Sequence, residues 1–174
     1  MKQIVECVPN FSCGDNPKII EAIADAIRNV EGVTLLDVDP SVSANRTVYT
    51  FVGDPISVVD AAMAAATVAR KLIDMRKQKG EHPRMGALDV CPFIPVAGVT
   101  MKDCVDCSVN FAKRASSELG IPIYLYEYSQ PLNYRKSLPD IRHGEYEGLK
   151  KKMLEPEWKP DFGYVDFVPE WGAT

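Results

Sequence analysis

The chain contains 174 residues, of which 46% are hydrophobic and 25% are charged. A domain of this length buries about 70% of the surface that its unfolded chain exposes, so it needs no disulfides or metal ions to fold. These fractions are average for globular proteins, which excludes a disordered or collagen-like chain. The formal net charge of −4 argues against general nucleic-acid binding, because neutralising phosphates requires a strong positive surplus.

The N-terminal residues contain no apolar segment typical of signal peptides, and the most apolar run, residues 61–66, is too short to cross a bilayer. Five cysteines, an odd number without a secretory signal, indicate reduced thiols and a cytoplasmic protein. Cys104 and Cys107 form a C-x-x-C pair within one predicted helix, whereas a thioredoxin-type pair opens a helix after a strand. No second Cys or His pair stands at zinc-ligand spacing, so we expect core packing and no bound metal.

The first 96 residues show elements in the order β-α-β-β-α-β. Four short segments rich in β-branched residues are predicted strands: 2–9, 33–38, 47–52 and 87–96. Two helices are predicted where Asn16-Pro17 and Asp54-Pro55 precede apolar residues at helical spacing. This order is typical of the α+β ferredoxin-like fold, in which helices pack on one face of the sheet.

A helix over 102–119 and a strand over 121–126 are predicted to extend this arrangement. The remainder, from residue 129, is rich in Pro, Tyr, Trp and charge, with one helical piece predicted over 139–154. No internal repeat or low-complexity linker divides the sequence. We therefore expect a single domain over 1–174 in which residues 129–174 form a peripheral tail.

His82 is the stronger catalytic candidate of the two histidines. It follows Glu81 and precedes Arg84 in a glycine-flanked loop between a long helix and a buried strand. An imidazole transfers protons near neutral pH, a carboxylate can orient it, and a guanidinium can bind an anion. The alternative is a polar loop that only connects two elements. His143 lies in a charged helical segment and is expected to be exposed, without a role.

The sequence around His82 is locally basic, with six basic and two acidic residues between positions 70 and 84. A small polyanionic ligand would suit this charge, although lysines and arginines also collect at helix C-termini.

Asp39, Asn45 and Arg46 form a second polar cluster, in the connection between the second and third strands. An Asp can orient a His or accept a hydrogen bond from an amine, and an Arg can bind a carboxylate. Glu6 and Asn10 are expected beside them, because the first and third strands are central in a ferredoxin-like sheet. The alternative is turn chemistry, which Asp-Pro and Ser-rich segments commonly perform.

Residues 160–172 interleave aromatic side chains with Gly, Pro and acids. Such a segment could stack on a flat heteroaromatic ring while its acids bind the ring's donors. It could equally be an apolar arm that packs on a partner.

Several segments together resemble the formiminotransferase family: VECVPNFS (5–12), LLDVD (35–39), NRTVYTFVG (45–53), LIDMRKQKGEHPRMGALDVCPFIPV (72–96), PIYLYE (122–127), and PDFG with FVPEWGAT between 160 and 174. The fourth segment is long and unusual enough to be highly specific. The resemblance implies an enzyme of histidine breakdown that moves a formimino group from N-formimino-L-glutamate to tetrahydrofolate. The products would be 5-formiminotetrahydrofolate and glutamate.

The resemblance also implies roles for individual residues. His82 matches the family's catalytic histidine, and Asp39 and Arg46 fall in a matched segment that lines the family's cleft. From the residues themselves, Asp39 and Glu81 are expected to orient the imidazole or the amidine. Four polar residues are expected to bind substrate: Arg46, Arg84, Asn45 and Asn10. The matching folate-binding stretch comprises Gly163, Tyr164, Val165, Asp166, Phe167, Val168, Pro169, Glu170, Trp171 and Gly172.

The family's transferase unit has two similar subdomains that enclose the ligand, and the resemblance covers the first. We therefore expect this chain to supply half of a cleft, to pair with a C-terminal subdomain or a second copy as a homo-oligomer, and to show little activity alone. One alternative is a non-catalytic folate-binding or assembly module that retains the motifs. Another is an RRM-like nucleic-acid binder, which the net acidity disfavours.

We predict that all five cysteines are thiols. After unfolding without a reductant, five equivalents of a thiol reagent should react per chain. A shortfall of two equivalents would indicate a disulfide and would contradict the prediction.

Overall fold

The computed structural model describes every residue from Met1 to Thr174. The strands are β1 (Ile4–Cys7), β2 (Asn10–Phe11), β3 (Thr34–Ser41), β4 (Arg46–Gly53), β5 (Leu88–Val90) and β6 (Phe93–Ala97). The helices are α1 (Pro17–Arg28), α2 (Pro55–Leu72), α3 (Met101–Leu119), α4 (Leu138–Arg142) and α5 (Glu145–Lys152). None of the helices combines the length and apolar character that crossing a membrane requires.

The six strands form one antiparallel sheet, in the order β5-β2-β4-β1-β6 with β3 paired to the other edge of β4. The predicted α+β class is confirmed, but the order is not the simple ferredoxin-like one. The predicted first strand is divided at Pro9 and the predicted fourth at Pro92. Proline has no N–H to donate, so the regular ladder is interrupted at both positions. Their carbonyls still accept hydrogen bonds from the amides of Tyr49 and Val8.

Three helices begin at the residues that the sequence indicates or at close equivalents. The Asn16 side chain accepts hydrogen bonds from the first turn of α1, and the Asp54 side chain does so for α2. Thr100 and Asp103 form a reciprocal capping box at the start of α3. These side chains satisfy backbone N–H groups that have no partner within a helix, so local sequence sets the helix starts.

The main hydrophobic core lies between one face of the sheet and helices α1, α2 and α3. Alternate residues of the central strands, including Val5, Tyr49 and Phe51, are fully buried on this face. Over β1, β4 and β6 the opposite face carries only partly buried or exposed residues, and Ile94 and Val96 there are 39% and 56% exposed. At β2 and β5 every residue is buried. The sheet is therefore covered on one side, and its other side is open over β1, β4 and β6.

The predicted strand over 121–126 is absent, since that segment forms only a single bridge, from Ile123 to Phe162. The amide of Leu125 instead donates to the Asp161 carboxylate, 2.8 Å away, which takes it out of any strand ladder. The predicted helix over 139–154 is two helices, α4 and α5. Gly144, which lies between them, has a positive φ angle of 87°, which the interior of a helix cannot accommodate.

Residues 129–174 do not lie loosely on the surface. Trp171 is fully buried in the main core. A second, smaller core joins the loop before β5, the segment after α3, helices α4 and α5, and the C-terminus: Met85, Tyr124, Ile141, Leu149, Met153 and Ala173. The C-terminal residues thus belong to the packed interior of the domain.

We predict that Asp54→Ala lowers the free energy of unfolding by about 1 kcal/mol at neutral pH, because the first turn of α2 loses its cap. Hydrogen bonds from the backbone and hydroxyl of Ser57 lower the pKa of Asp54. The charge-dependent part of the loss should therefore be full above the unfolded-state pKa and should disappear as pH falls through the lowered folded-state pKa. Urea unfolding of both proteins from pH 7 to pH 2 measures this, with Asp54→Asn, which keeps an acceptor, as the control. A difference independent of pH would contradict it.

Candidate functional site

His82, Arg46 and Asn10 meet beside the open face of the sheet. His82 lies in residues 79–86, which follow α2 and which we name the histidine loop. Its Nδ1 lies 2.7 Å from the carbonyl oxygen of Pro83, and its Nε2 contacts the Arg46 guanidinium. The Arg46 Nε also donates to Oδ1 of Asn10, 2.7 Å away. A small cavity lined by all three residues separates the loop from β2 and β4.

These contacts define which imidazole nitrogen can act as a base. A carbonyl oxygen only accepts hydrogen bonds, so the contact with Pro83 assigns the proton to Nδ1 of His82. In the neutral ring Nε2 then carries a lone pair, which accepts from the Arg46 guanidinium. Burial lowers the pKa of Arg46, the charge of Asp89 opposes this shift and the charge of Arg142 adds to it. Because Nδ1 of His82 carries the proton, Nε2 is the basic atom of this site.

Asp39 and Glu81 do not contact the imidazole. Asp39 pairs with Val48 across β3 and β4, and Asn10 pairs with Val48 from the other side. Its side chain therefore lies on the open face that also carries Arg46, exposed and without an ion pair. Glu81 is exposed at the outer side of the histidine loop. The structure brings Asn10 and Arg46 to His82 and leaves both acids free for solvent or a ligand.

Asn45 and Arg84 are occupied by contacts within the chain. The Asn45 amide accepts from Gly14 N at 2.9 Å and donates to Gln78 Oε1 at 2.8 Å, which ties the segment after β2 to the residue just before the histidine loop. The Arg84 side chain is only 11% exposed and pairs with Glu147 at 2.8 Å and Glu145 at 3.2 Å. These two acids belong to α5, and the Glu147 hydrogen bond raises the pKa of Arg84. Arg84 therefore offers no free guanidinium for an anion.

The stretch from Gly163 to Gly172 has an exposed half and a buried half. Tyr164 and Val165 are 62% and 51% exposed. Trp171 is fully buried, and its indole N–H donates to the Thr174 hydroxyl, 3.1 Å away. The rings of Trp171 are covered by the core and are not free to stack on a ligand. The exposed residues of the stretch are 163–166 and Pro169.

The C-terminal end of the Gly163–Gly172 stretch forms hydrogen bonds at the end of the histidine loop. The amide of Ala87 donates to the carbonyl of Trp171 at 2.9 Å, and Gly172 forms a bridge with Gly86. Glu170 pairs with Arg76 at the start of the loop region. The predicted folate-binding stretch and the predicted catalytic loop, far apart in sequence, are therefore in direct contact.

Sequence reasoning missed Asp89 and Arg142. Asp89 lines the cavity beside His82 from β5, and its carboxylate pairs with the Arg142 guanidinium at 2.7 Å. Burial raises the pKa of Asp89, while the charge of Arg142 and the Met85 amide act in the opposite direction. The sequence did offer one signal for Asp89, because an acidic residue within a predicted buried strand, 87–96, is unusual. No group of three or more His, Cys, Asp or Glu side chains is placed to hold a metal ion.

The chain belongs to the family described as "Formiminotransferase domain, N-terminal subdomain", whose model matches residues 4–174. It is 61% identical over 174 residues to the formimidoyltransferase-cyclodeaminase of Dictyostelium discoideum and 59% identical to that of Rattus norvegicus. It covers 32% of each of those two proteins. Over the same 174 residues it is 46% identical to the glutamate formimidoyltransferase of Streptococcus pyogenes serotype M1, of which it covers 58%. The resemblance drawn from the sequence motifs is confirmed, and the chain spans a third to about three fifths of these relatives.

We predict opposite effects for two glycine-to-alanine substitutions. At Gly172 (φ +80°) a Cβ would lie 2.0 Å from the Met85 carbonyl oxygen, so Gly172→Ala should cost more than about 2 kcal/mol of stability. Gly148 lies within α5 with nothing near its Cβ position, so Gly148→Ala should add about 0.5–1 kcal/mol. Thermal and urea unfolding measure both; a Gly172→Ala protein as stable as the parent would contradict the described contact.

Proposed function

We propose that this chain forms the amino-terminal part of a glutamate formimidoyltransferase. The reaction transfers a formimino group from N-formimino-L-glutamate to tetrahydrofolate, giving 5-formiminotetrahydrofolate and glutamate. The observation that carries the proposal is the contact of His82 Nε2 with Arg46, which places a proton acceptor beside an anion-binding group on the open sheet face. The names of the relatives, formimidoyltransferase-cyclodeaminase and glutamate formimidoyltransferase, support the same reaction.

In the proposed mechanism, N5 of tetrahydrofolate attacks the amidine carbon of the donor. His82 Nε2 removes the N5 proton as the new C–N bond forms. The same imidazolium then returns the proton to the departing nitrogen of glutamate as the old C–N bond breaks. Proton transfer by a positioned side chain is typically worth about 10²–10⁴ in rate, and the orientation of two bound substrates supplies much of the rest.

Arg46 must leave Nε2 before the imidazole can accept a proton. A carboxylate forms stronger hydrogen bonds with a guanidinium than a neutral imidazole does. A glutamate carboxylate of the donor would therefore draw Arg46 away and expose the lone pair of His82. Asn10, which already accepts from Arg46, would keep the guanidinium close to its position during this exchange.

The remaining residues divide into ligand-facing and supporting groups. Asp39 and Glu81 are exposed and can orient the cationic amidine of the donor. Asn45 and Arg84 hold the histidine loop, since their polar atoms are paired within the chain. Tetrahydrofolate, the co-substrate, would meet the exposed residues 163–166, with the rest of the stretch as their support; the mechanism uses no metal ion.

The open sheet face is the proposed boundary with the missing part of the cleft. Ligand sites usually enclose most of the ligand surface, whereas His82 and Arg46 lie beside a face that is covered by no element of this chain. A C-terminal subdomain or a second copy would complete the enclosure. Five free cysteines support a reducing compartment such as the cytoplasm.

The proposed fold relationship is a ferredoxin-like sheet with two divided strands. If β1 with β2 and β5 with β6 each count as one strand, the pairings read fourth, first, third and second across the sheet.

We predict that His82→Ala abolishes transfer, with a loss of at least about 10²-fold in kcat, because the proton acceptor is removed. The assay uses the protein that joins this chain to the rest of its transferase unit, with the 174-residue chain measured in parallel. Folinate binding, measured by calorimetry, should be retained, since His82 makes no contact with residues 163–172.

His143→Ala is the matched control, because His143 is the other histidine and is exposed. It should leave kcat unchanged. Equal losses for both substitutions would refute the assignment of the base. Folate binding without any turnover by the unaltered longer protein would instead indicate a non-catalytic binding module.

A further inference from the structure

Asp89 is a buried acid next to the proposed catalytic loop. It lies in β5, its side chain is 5% exposed, and both of its carboxylate oxygens are used. Oδ1 accepts from the amide of Met85 at 2.6 Å, and Oδ2 accepts from the Arg142 guanidinium at 2.7 Å. Arg142 is the last residue of α4 and is 15% exposed. The carboxylate thus connects the histidine loop to a helix from the C-terminal third of the chain.

The Asp89 carboxylate is the hydrogen-bond acceptor of the Met85 amide at the end of the histidine loop, and no other acceptor contacts that amide. The carbonyl of Arg84 accepts from the Tyr146 amide at 2.9 Å, and the carbonyl of Gly86 accepts from the Ser12 hydroxyl at 2.7 Å. The Met85 amide between them has Asp89 as its acceptor. A buried N–H without an acceptor is costly, so loss of this carboxylate would favour a different path for the loop.

The charge of Asp89 also acts on the site itself. Asp89 lines the same cavity as Arg46 and His82. Proton transfer creates an imidazolium beside the Arg46 guanidinium, and two adjacent cations repel each other strongly in a poorly solvated cavity. The fixed Asp89 carboxylate reduces this repulsion at the moment when the positive charge forms. Arg142, its partner, acts in the opposite direction but more weakly on Arg46.

We propose that Asp89, held by Arg142, is a positioning residue that fixes the turn carrying His82 and offsets the positive charge formed on the imidazole. This proposal rests on the proposed function, because it gives Asp89 a part in the transfer reaction. It does not make Asp89 a catalytic residue: its carboxylate is engaged by Met85 and Arg142 and touches no substrate.

The first test measures kinetics in the longer protein that contains this chain. Asp89→Asn should lower kcat about 30- to 100-fold, because small displacements of a catalytic group have effects of this size, while KM for both substrates changes less than about threefold. In Asp89→Asn the buried Arg142 guanidinium loses its carboxylate partner. The double variant Asp89→Asn/Arg142→Met removes that guanidinium and should therefore be more thermally stable than Asp89→Asn. The kcat of the double variant should stay low.

Asp60→Asn is the matched control. It breaks another Asp–Arg pair, between Asp60 and Arg114 at 2.6 Å on the surface of α2 and α3, and should leave kcat unchanged. Recovery of kcat together with stability in the double variant would show that Asp89 is merely structural and would overturn the proposal. So would equal losses of kcat in the Asp60 and Asp89 variants.

The second test does not depend on turnover. In the 174-residue chain with His143→Ala, one imidazole remains, so its ¹⁵N signals belong to His82 without further assignment. The unaltered loop should show the Nδ1-protonated tautomer at high pH and a protected Met85 amide in hydrogen exchange. Asp89→Ala, which leaves the Met85 amide without its acceptor, should mix the tautomers and remove the protection.

Unchanged ring signals and unchanged Met85 protection in Asp89→Ala would overturn the positioning role, whatever the kinetics show. Absence of turnover in the unaltered longer protein would overturn the proposed function instead. Loss of loop order in Asp89→Ala would then still support the control of the loop by Asp89. The two failures are therefore distinguishable.

Discussion

The contact between residues 171–174 and the histidine loop is the constraint on which the arrangement of the site depends. Trp171 anchors these residues in the main core, and the Ala173 amide donates to the Met85 carbonyl at 3.2 Å. Gly86 and Gly172 meet so closely that neither position has room for a Cβ. The loop, which has no regular secondary structure, receives from the C-terminus the hydrogen bonds that a sheet would otherwise provide. His82 is thereby placed over β4 and Arg46.

Buried arginine pairs determine how the C-terminal third packs. Arg84 pairs with Glu147, Arg142 with Asp89, and Arg135 with Asp161 at 3.0 Å. Burying both members of an ion pair, as in Arg142–Asp89 and Arg135–Asp161, gains little net stability because both charges lose their hydration. Glu147 itself stays 65% exposed, so only the arginine of that pair is buried. Misplacing one partner is expensive, however, because it leaves a charge buried alone. The pairs therefore act mainly by penalising alternative placements of α4 and α5. Both helices carry residues that hold the histidine loop.

Much of the local structure could be predicted from the sequence, and the errors share one cause. The starts of α1 and α2 follow from Asn16-Pro17 and Asp54-Pro55. The capping side chain and the proline both act within the first turn of the helix, so neighbouring residues are enough to predict them. The prediction of a strand over 121–126 was wrong, since a distant side chain, Asp161, takes the Leu125 amide. Arg84 was interpreted as an anion-binding residue because its partners in α5 lie about 60 positions away, beyond any local pattern.

The sequence by itself determined the starts of α1 and α2, the α+β class and the family, and it predicts the choice of His82 over His143, because each depends on short-range pattern or on a motif. Only the tertiary structure decided which polar groups are free and which are engaged. It brought Arg46 and Asn10 to the imidazole, buried Trp171, occupied Arg84 and placed Asp89 against Arg142, 53 positions along the chain. The physical reason is that the partner of a charged or aromatic side chain is set by long-range packing and desolvation, which residue order within one element does not encode.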